Sequence, residues 1–168
     1  MSTKKKNPKV VFAGETKVGK TSVIEQYVLG TFNPERESSS GGTYYEKEIK
    51  LSDNSLVSLE IWDLGGDQKY RSLMEFFFKD AKSIILMYDI TNENTFKELK
   101  YFWNLTKKPP GANLFVVANK CDLEDKKVKD EEGEEFAKSI GASFFSVSAK
   151  DNIGISNLFE KIAEALRH

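Results

Sequence analysis

Apolar residues recur along the chain in two rhythms. Lys9 to Ala13, Lys82 to Tyr88, Asn113 to Ala118 and Ser143 to Val147 are short apolar runs bounded by polar or turn residues, as buried central β-strands are. Between and after them apolar residues fall at helical spacing: Val23, Ile24, Tyr27 and Val28; Phe96, Leu99, Phe102 and Trp103; Ile155, Leu158, Phe159, Ile162 and Leu166. Tyr44 to Leu51 and Leu56 to Trp62 flank Ser52-Asp53-Asn54, whose turn chemistry predicts a hairpin and one antiparallel edge strand. Gly30 and Gly141 stand where two helices should stop. Strands alternating with helices build a mostly parallel sheet covered by helices on both faces, an α/β fold.

Composition narrows this to a single unit. The 168 residues, 39% of them hydrophobic, suffice for one domain with a sizeable core. The formal net charge of −1 gives no field suited to nucleic acid. Lys4, Lys5, Lys6 and Lys9 form a local basic start, and residues 1–8 are expected to be a flexible tail. No apolar run reaches membrane-span length and no signal-peptide core is present, so a cytoplasmic location is expected. Cys121 stands alone and no Cys/His cluster suggests zinc.

Specific chemistry begins at the end of the first strand. GETKVGKT, residues 14–21, fits G-x-x-x-x-G-K-[ST] and runs from an apolar strand into a helical pattern, the context a phosphate loop requires. Gly14, Thr16, Lys17, Val18, Gly19 and Ser22 are its expected cradle, where backbone NH groups and the positive helix end face phosphates. Lys20 can bridge the outer phosphates, and the Thr21 hydroxyl can reach Mg2+. NKCD, residues 119–122, follows a second strand. Asp122 can accept from guanine's ring NH and amino group. Adenine lacks that donor edge and would leave a dry carboxylate unpaired, at a cost of several kcal/mol. Lys120 can lay its stem along the base, and Asn119 can tie this loop to the phosphate loop. In SAK, Ser148, Ala149 and Lys150 follow the last strand, where the Ala149 NH can meet the guanine carbonyl oxygen. In isolation, WDLGGDQ at 62–68 and SAK read as turns.

Together, GETKVGKT, DLGG at 63–66, NKCD and SAK resemble the Ras-like small GTPases in order and spacing across almost the whole chain. EIWD at 60–63, YRSL at 70–73, SIILMYDIT at 83–91 and ANKCDL at 118–123 are similar to the Rab branch. The resemblance implies a P-loop NTPase G domain over residues 9–168, with a six-stranded sheet, that cycles between GDP and GTP in vesicle trafficking. It places Asp63 on Mg2+, Phe32 against guanine, and the Gly66 NH on the terminal phosphate. It also implies exchange factors, activating proteins and effectors, met through Trp62 and Tyr70 with Tyr44 or Tyr45, and a monomer. Those aromatics read equally well as core. The chain ends Leu166-Arg167-His168 without a cysteine, so attachment to an endomembrane is expected only through a lipidated tail in a longer protein.

Two departures bear on turnover. The first switch normally supplies a threonine to Mg2+; here the segment is SSSGGTYY, residues 38–45. Counting from the phosphate loop selects Ser39, counting back from Asp63 selects Ser40, and Thr43 would serve only after rearrangement. At the position after DxxG the family carries a glutamine that orients the attacking water; this chain has Asp67, with Gln68 one residue late. Asp67 is shorter, has no donor, and is expected to swing into solvent on the Gly65-Gly66 hinge. Three classes follow: a slow GTP-hydrolysing switch, a guanine-nucleotide-binding scaffold with negligible hydrolysis, and a small-molecule phosphotransferase, against which NKCD and SAK argue.

Overall fold

The computed structural model describes residues 6–35 and 42–167. In chain order the elements are β1 (Lys9–Ala13), α1 (Lys20–Leu29), β2 (Thr43–Lys50), β3 (Leu56–Asp63), a 3-10 turn (Gln68–Tyr70), α2 (Arg71–Phe78), β4 (Ser83–Asp89), α3 (Glu93–Lys97), α4 (Leu99–Thr106), β5 (Asn113–Asn119), α5 (Asp130–Ile140), β6 (Ser143–Ser146) and α6 (Ile155–Ala165). The sheet has six strands in the order β2-β3-β1-β4-β5-β6. Every neighbouring pair is parallel except β2 with β3, which run antiparallel in unbroken register from Thr43 opposite Asp63 to Lys50 opposite Leu56. The expected architecture, including the antiparallel edge, is therefore present. Asn54 turns the hairpin with a φ of 69°, and the Asp53 carboxylate accepts from the Ser55 NH, the local bond that makes such residues favour turns.

The apolar strands are two-faced because successive side chains point opposite ways. Val10, Phe12, Ile85, Met87, Phe115 and Val117 face a core layer closed by α1 and α6. Val11, Ala13, Ile84, Leu86, Val116 and Ala118 face a second layer closed by α2, α4 and α5. On α6, Ile155, Leu158, Phe159 and Ile162 are all buried, as their spacing predicts. Gly30 and Gly141 end α1 and α5 in the left-handed region, which glycine enters without steric cost. The periodic segment through Phe96 and Trp103 divides at Glu98 into α3 and α4, yet Glu98 keeps helical angles and Phe102 still bonds back to its carbonyl. Helix α2 lies outside the helical spacings read from the sequence.

Because all strands but β2 point the same way, the carboxyl ends of β1, β3, β4, β5 and β6 share one rim. From β1 the chain proceeds to β3 on one side and later to β4 on the other, which makes the end of β1 a topological switch point where ligands bind in open α/β sheets. Under this rim, Phe159 stacks on Tyr27 at 4.2 Å and on Phe12 at 5.7 Å between ring centroids. Phe159→Ala should lower unfolding stability by about 3–5 kcal/mol in denaturant titration. A loss below about 1 kcal/mol would show that the two helices do not depend on this aromatic stack.

Candidate functional site

The residues between β1 and α1 wrap around one ammonium. Lys20 is buried, and its Nζ donates to the carbonyls of Gly14 and Glu15, each at 2.9 Å. Burial lowers its pKa to about 8, against the opposing pull of Asp63 and Glu15. A cation stripped of water and held chiefly by carbonyls is matched by an anion brought to it. Gly14 and Gly19 meet backbone and side-chain demands that no Cβ could: at Gly14 it would fall 2.3 Å from the Met87 carbonyl oxygen, and at Gly19 2.3 Å from Asn119 Nδ2. Gly19, with a φ of 97°, also stands at the N-terminus of α1, the positive end of the helix dipole.

Two hard oxygens meet beside this loop. The Thr21 hydroxyl donates to Asp63 Oδ2, joining the first turn of α1 to the end of β3. Both residues are buried. A hydroxyl next to a carboxylate fits Mg2+. That ion is usually held by one or two protein oxygens together with substrate phosphates. Ser39 and Ser40 lie outside the described residues. Thr43 opens β2 and is exposed.

The ends of β5 and β6 complete the rim. Asn119 Nδ2 donates to the Val18 carbonyl at 2.8 Å, as expected of a tie to the phosphate loop, and its Oδ1 accepts from the Ala149 NH at 3.3 Å. That NH, expected to face guanine, is thus directed to Asn119. Lys120 reaches across the opening, its Nζ 3.1 Å from the Lys17 carbonyl and 2.7 Å from Asp89 Oδ2. The Asp151 NH donates to Ser148 Oγ, which donates its own proton to Asp122 Oδ1 at 2.7 Å. The carboxylate is thereby fixed in orientation. Gln26 of α1 donates to the Ala149 carbonyl at 2.7 Å, joining the third loop to the first helix.

These parts enclose a cleft of about 330 Å³. From the first loop and α1 it is lined by Thr16, Lys17, Gly19, Lys20, Thr21 and Ser22. Asn119, Lys120, Asp122, Ala149 and Lys150 line the far side, and Phe32 and Gly66 reach it from either flank. Phe32 also packs on the α1 and α6 core layer. Val18 is fully buried below the loop and contributes its carbonyl. Asn33, Pro34 and Leu123 line the cleft as well, and nothing but their position beside expected residues marks them in the sequence. Asp89 was missed too, although a polar residue closing an apolar strand is a visible signal on this fold.

The second switch departs from expectation. Gly66 is buried against the phosphate loop, where a Cβ would lie 2.4 Å from the Gly14 carbonyl oxygen and 2.5 Å from the Thr16 nitrogen. It is a close-approach glycine rather than a free hinge. Asp67 does not swing into solvent: it is half-buried, and its Oδ1 accepts from the Lys69 NH at 3.2 Å, capping the 3-10 turn. A short carboxylate suits an N-cap better than glutamine does. Gln68 is exposed, and neither residue lines the cleft.

On the sheet edge beside it, the Tyr44 and Trp62 rings lie 5.0 Å apart and Trp62 and Phe77 5.4 Å apart. Tyr44 is 42% exposed, whereas Tyr45 points through the sheet to the other core layer. Tyr70, at the end of the 3-10 turn, is half-buried. No helix among the described residues is long and apolar enough to cross a membrane.

A family model described as the Ras family matches residues 9–168. The chain belongs to the Ras family. It is 35% identical over 167 residues to the Ras-related protein Rab-3A of Homo sapiens, covering 94% of this chain and 73% of that protein. The same figures hold for Rab-3A of Macaca fascicularis. Rab-3B of Homo sapiens is 34% identical over the same shares. As a Ras-family GTPase similar to Rab proteins, the chain is a guanine-nucleotide switch with GTP or GDP and Mg2+ as cofactors. Exchange factors, activating proteins and effectors are its general classes of partner.

Asn119→Ala would leave the Val18 carbonyl and Ala149 NH unmatched together. It should cost about 1–3 kcal/mol for each buried group and speed GDP release, read by displacement of a fluorescent GDP. Unchanged release would show that the tie between the loops does not hold the nucleotide.

Proposed function

We propose that this protein is a slow GTPase switch of Rab-like trafficking type, and the placement of Asp67 is the observation that carries the rate. Lys20 and the loop backbone would bind the β- and γ-phosphates. Thr21 and Asp63 would hold Mg2+, which supplies charge neutralisation on the phosphate oxygens. Ser39 or Ser40 would supply the first-switch hydroxyl to the same ion. Asp122, oriented by Ser148, would read guanine. Tyr44 and Trp62, exposed and half-exposed on one sheet edge, would meet partners with Tyr70. The G domain would begin near Lys9, where both β1 and the family match begin.

Hydrolysis needs a water aligned for attack on the γ-phosphorus, and among the described residues neither Asp67 nor Gln68 lines the cleft to align it. With Asp67 occupied as a cap, its carboxylate is held away from the reacting centre. Turned toward the phosphate, it would add a charge repulsion of roughly 3 kcal/mol at about 5 Å and an effective dielectric of about 20. Gln68, first in the 3-10 turn and exposed, points away from this place. A scaffold that binds without hydrolysing is the second reading, favoured by the same geometry if turnover is nil. Single-turnover assays separate the two. Asp67→Gln should speed GTP hydrolysis by ~10-fold or more, equivalent to about 1.4 kcal/mol of barrier, although it removes the cap, while Gln68→Ala should change it little. Fast hydrolysis by the unaltered protein that is lost in Gln68→Ala would refute this assignment.

A further inference from the structure

One buried charged cluster lies beside the phosphate loop and takes no part in the contacts assigned above. Arg71, the first residue of α2, is buried. Its NH2 donates to Glu15 Oε2 at 2.8 Å, its NH1 to Glu98 Oε2 at 3.2 Å, and its Nε to the Gly66 carbonyl at a long 3.4 Å. The guanidinium also lies over the rings of Tyr101 and Phe102, 4.7 and 4.9 Å from their centroids. Glu15 belongs to the phosphate loop itself, and its other carboxylate oxygen accepts from the Thr16 NH at 3.0 Å. One side chain therefore joins the phosphate loop, the DxxG loop and the α3-α4 junction, using the planar fork that distinguishes arginine from lysine.

We propose that Arg71 is a positioning residue for the terminal-phosphate contact, a latch that holds Gly66 against the phosphate loop by pairing with Glu15. This rests on the reading of Gly66 as the residue whose NH meets the γ-phosphate. The close packing of Gly66 on Gly14 and Thr16 leaves that peptide little freedom while the latch is shut. Glu98 and the two aromatic rings keep the guanidinium in place, so releasing Glu15 frees the loop without freeing Arg71. A buried pair broken from one side is strongly felt, and the effect should fall on the nucleotide that Gly66 touches. Affinity for a triphosphate thus becomes coupled to the docking of α2, and the coupling acts equally in the reverse direction.

The test is a double-mutant cycle of Glu15→Gln and Arg71→Met, read as affinity for GDP and for a non-hydrolysable GTP analogue, with thermal unfolding alongside. Arg71→Met keeps the apolar stem. Glu15→Gln changes a partly exposed side chain, so one arm remains readable if the other unfolds. Each single variant should lower the preference for the triphosphate over GDP by about tenfold, within the roughly 5–150-fold typical of coupled sites. The double variant should fall no further, since both changes break the same pair. An unchanged ratio, an equal loss for both nucleotides, or fully additive losses would each overturn the latch while leaving guanine-nucleotide binding intact. An unaltered protein that binds neither nucleotide would overturn the reading beneath it.

Discussion

The Lys20 ammonium, buried beneath the end of β1 and bonded to the carbonyls of Gly14 and Glu15, sets the terms for everything around it. A buried cation is tolerated only where its charge is answered. Here the loop bends its own carbonyls inward and Asp63 sits nearby. The glycines follow from that bend, since Gly14 and Gly19 approach Met87 and Asn119 too closely for any side chain. So does the bond from Asn119 to Val18, which braces the loop from β5. The sheet exists, for functional purposes, to bring these strand ends to one rim.

Most of that rim was readable from the chain because its parts are local. A phosphate loop is one contiguous stretch between a strand and a helix, and NKCD and SAK each follow a recognisable apolar run. The alternation of Val10 to Ala13 and of Ile84 to Tyr88 between two core layers is likewise written in adjacent residues. What escaped the sequence depends on pairs far apart in the chain. Arg71 meets Glu15 across 56 positions, and no periodicity links them. Asp67 could be compared with glutamine by length and charge, but its role as a cap depends on the 3-10 turn that follows. Gly66 looked like half of a flexible hinge, and only the approach of the phosphate loop shows why that position excludes a side chain.

A consistent picture of the second switch emerges from these pieces. Its first glycines are buried, its carboxylate caps a turn, and its first helical residue is an arginine anchored on the phosphate loop. The segment is thus built for a defined docked position, with neither Asp67 nor Gln68 lining the cleft. Good nucleotide retention and poor turnover would be compatible on such a site, because on the proposed reading retention depends on Lys20, Asn119 and Asp122 while turnover depends on what stands after Gly66.

Everything rests on guanine nucleotide filling the rim, and the nucleotide carried by the purified protein reports on this most directly. Denaturing the protein and resolving the released small molecules by ion-exchange chromatography should yield stoichiometric GDP or GTP. Release of adenine nucleotide in its place, or of no nucleotide from folded protein that also fails to take up added GDP with Mg2+, would contradict the site described here.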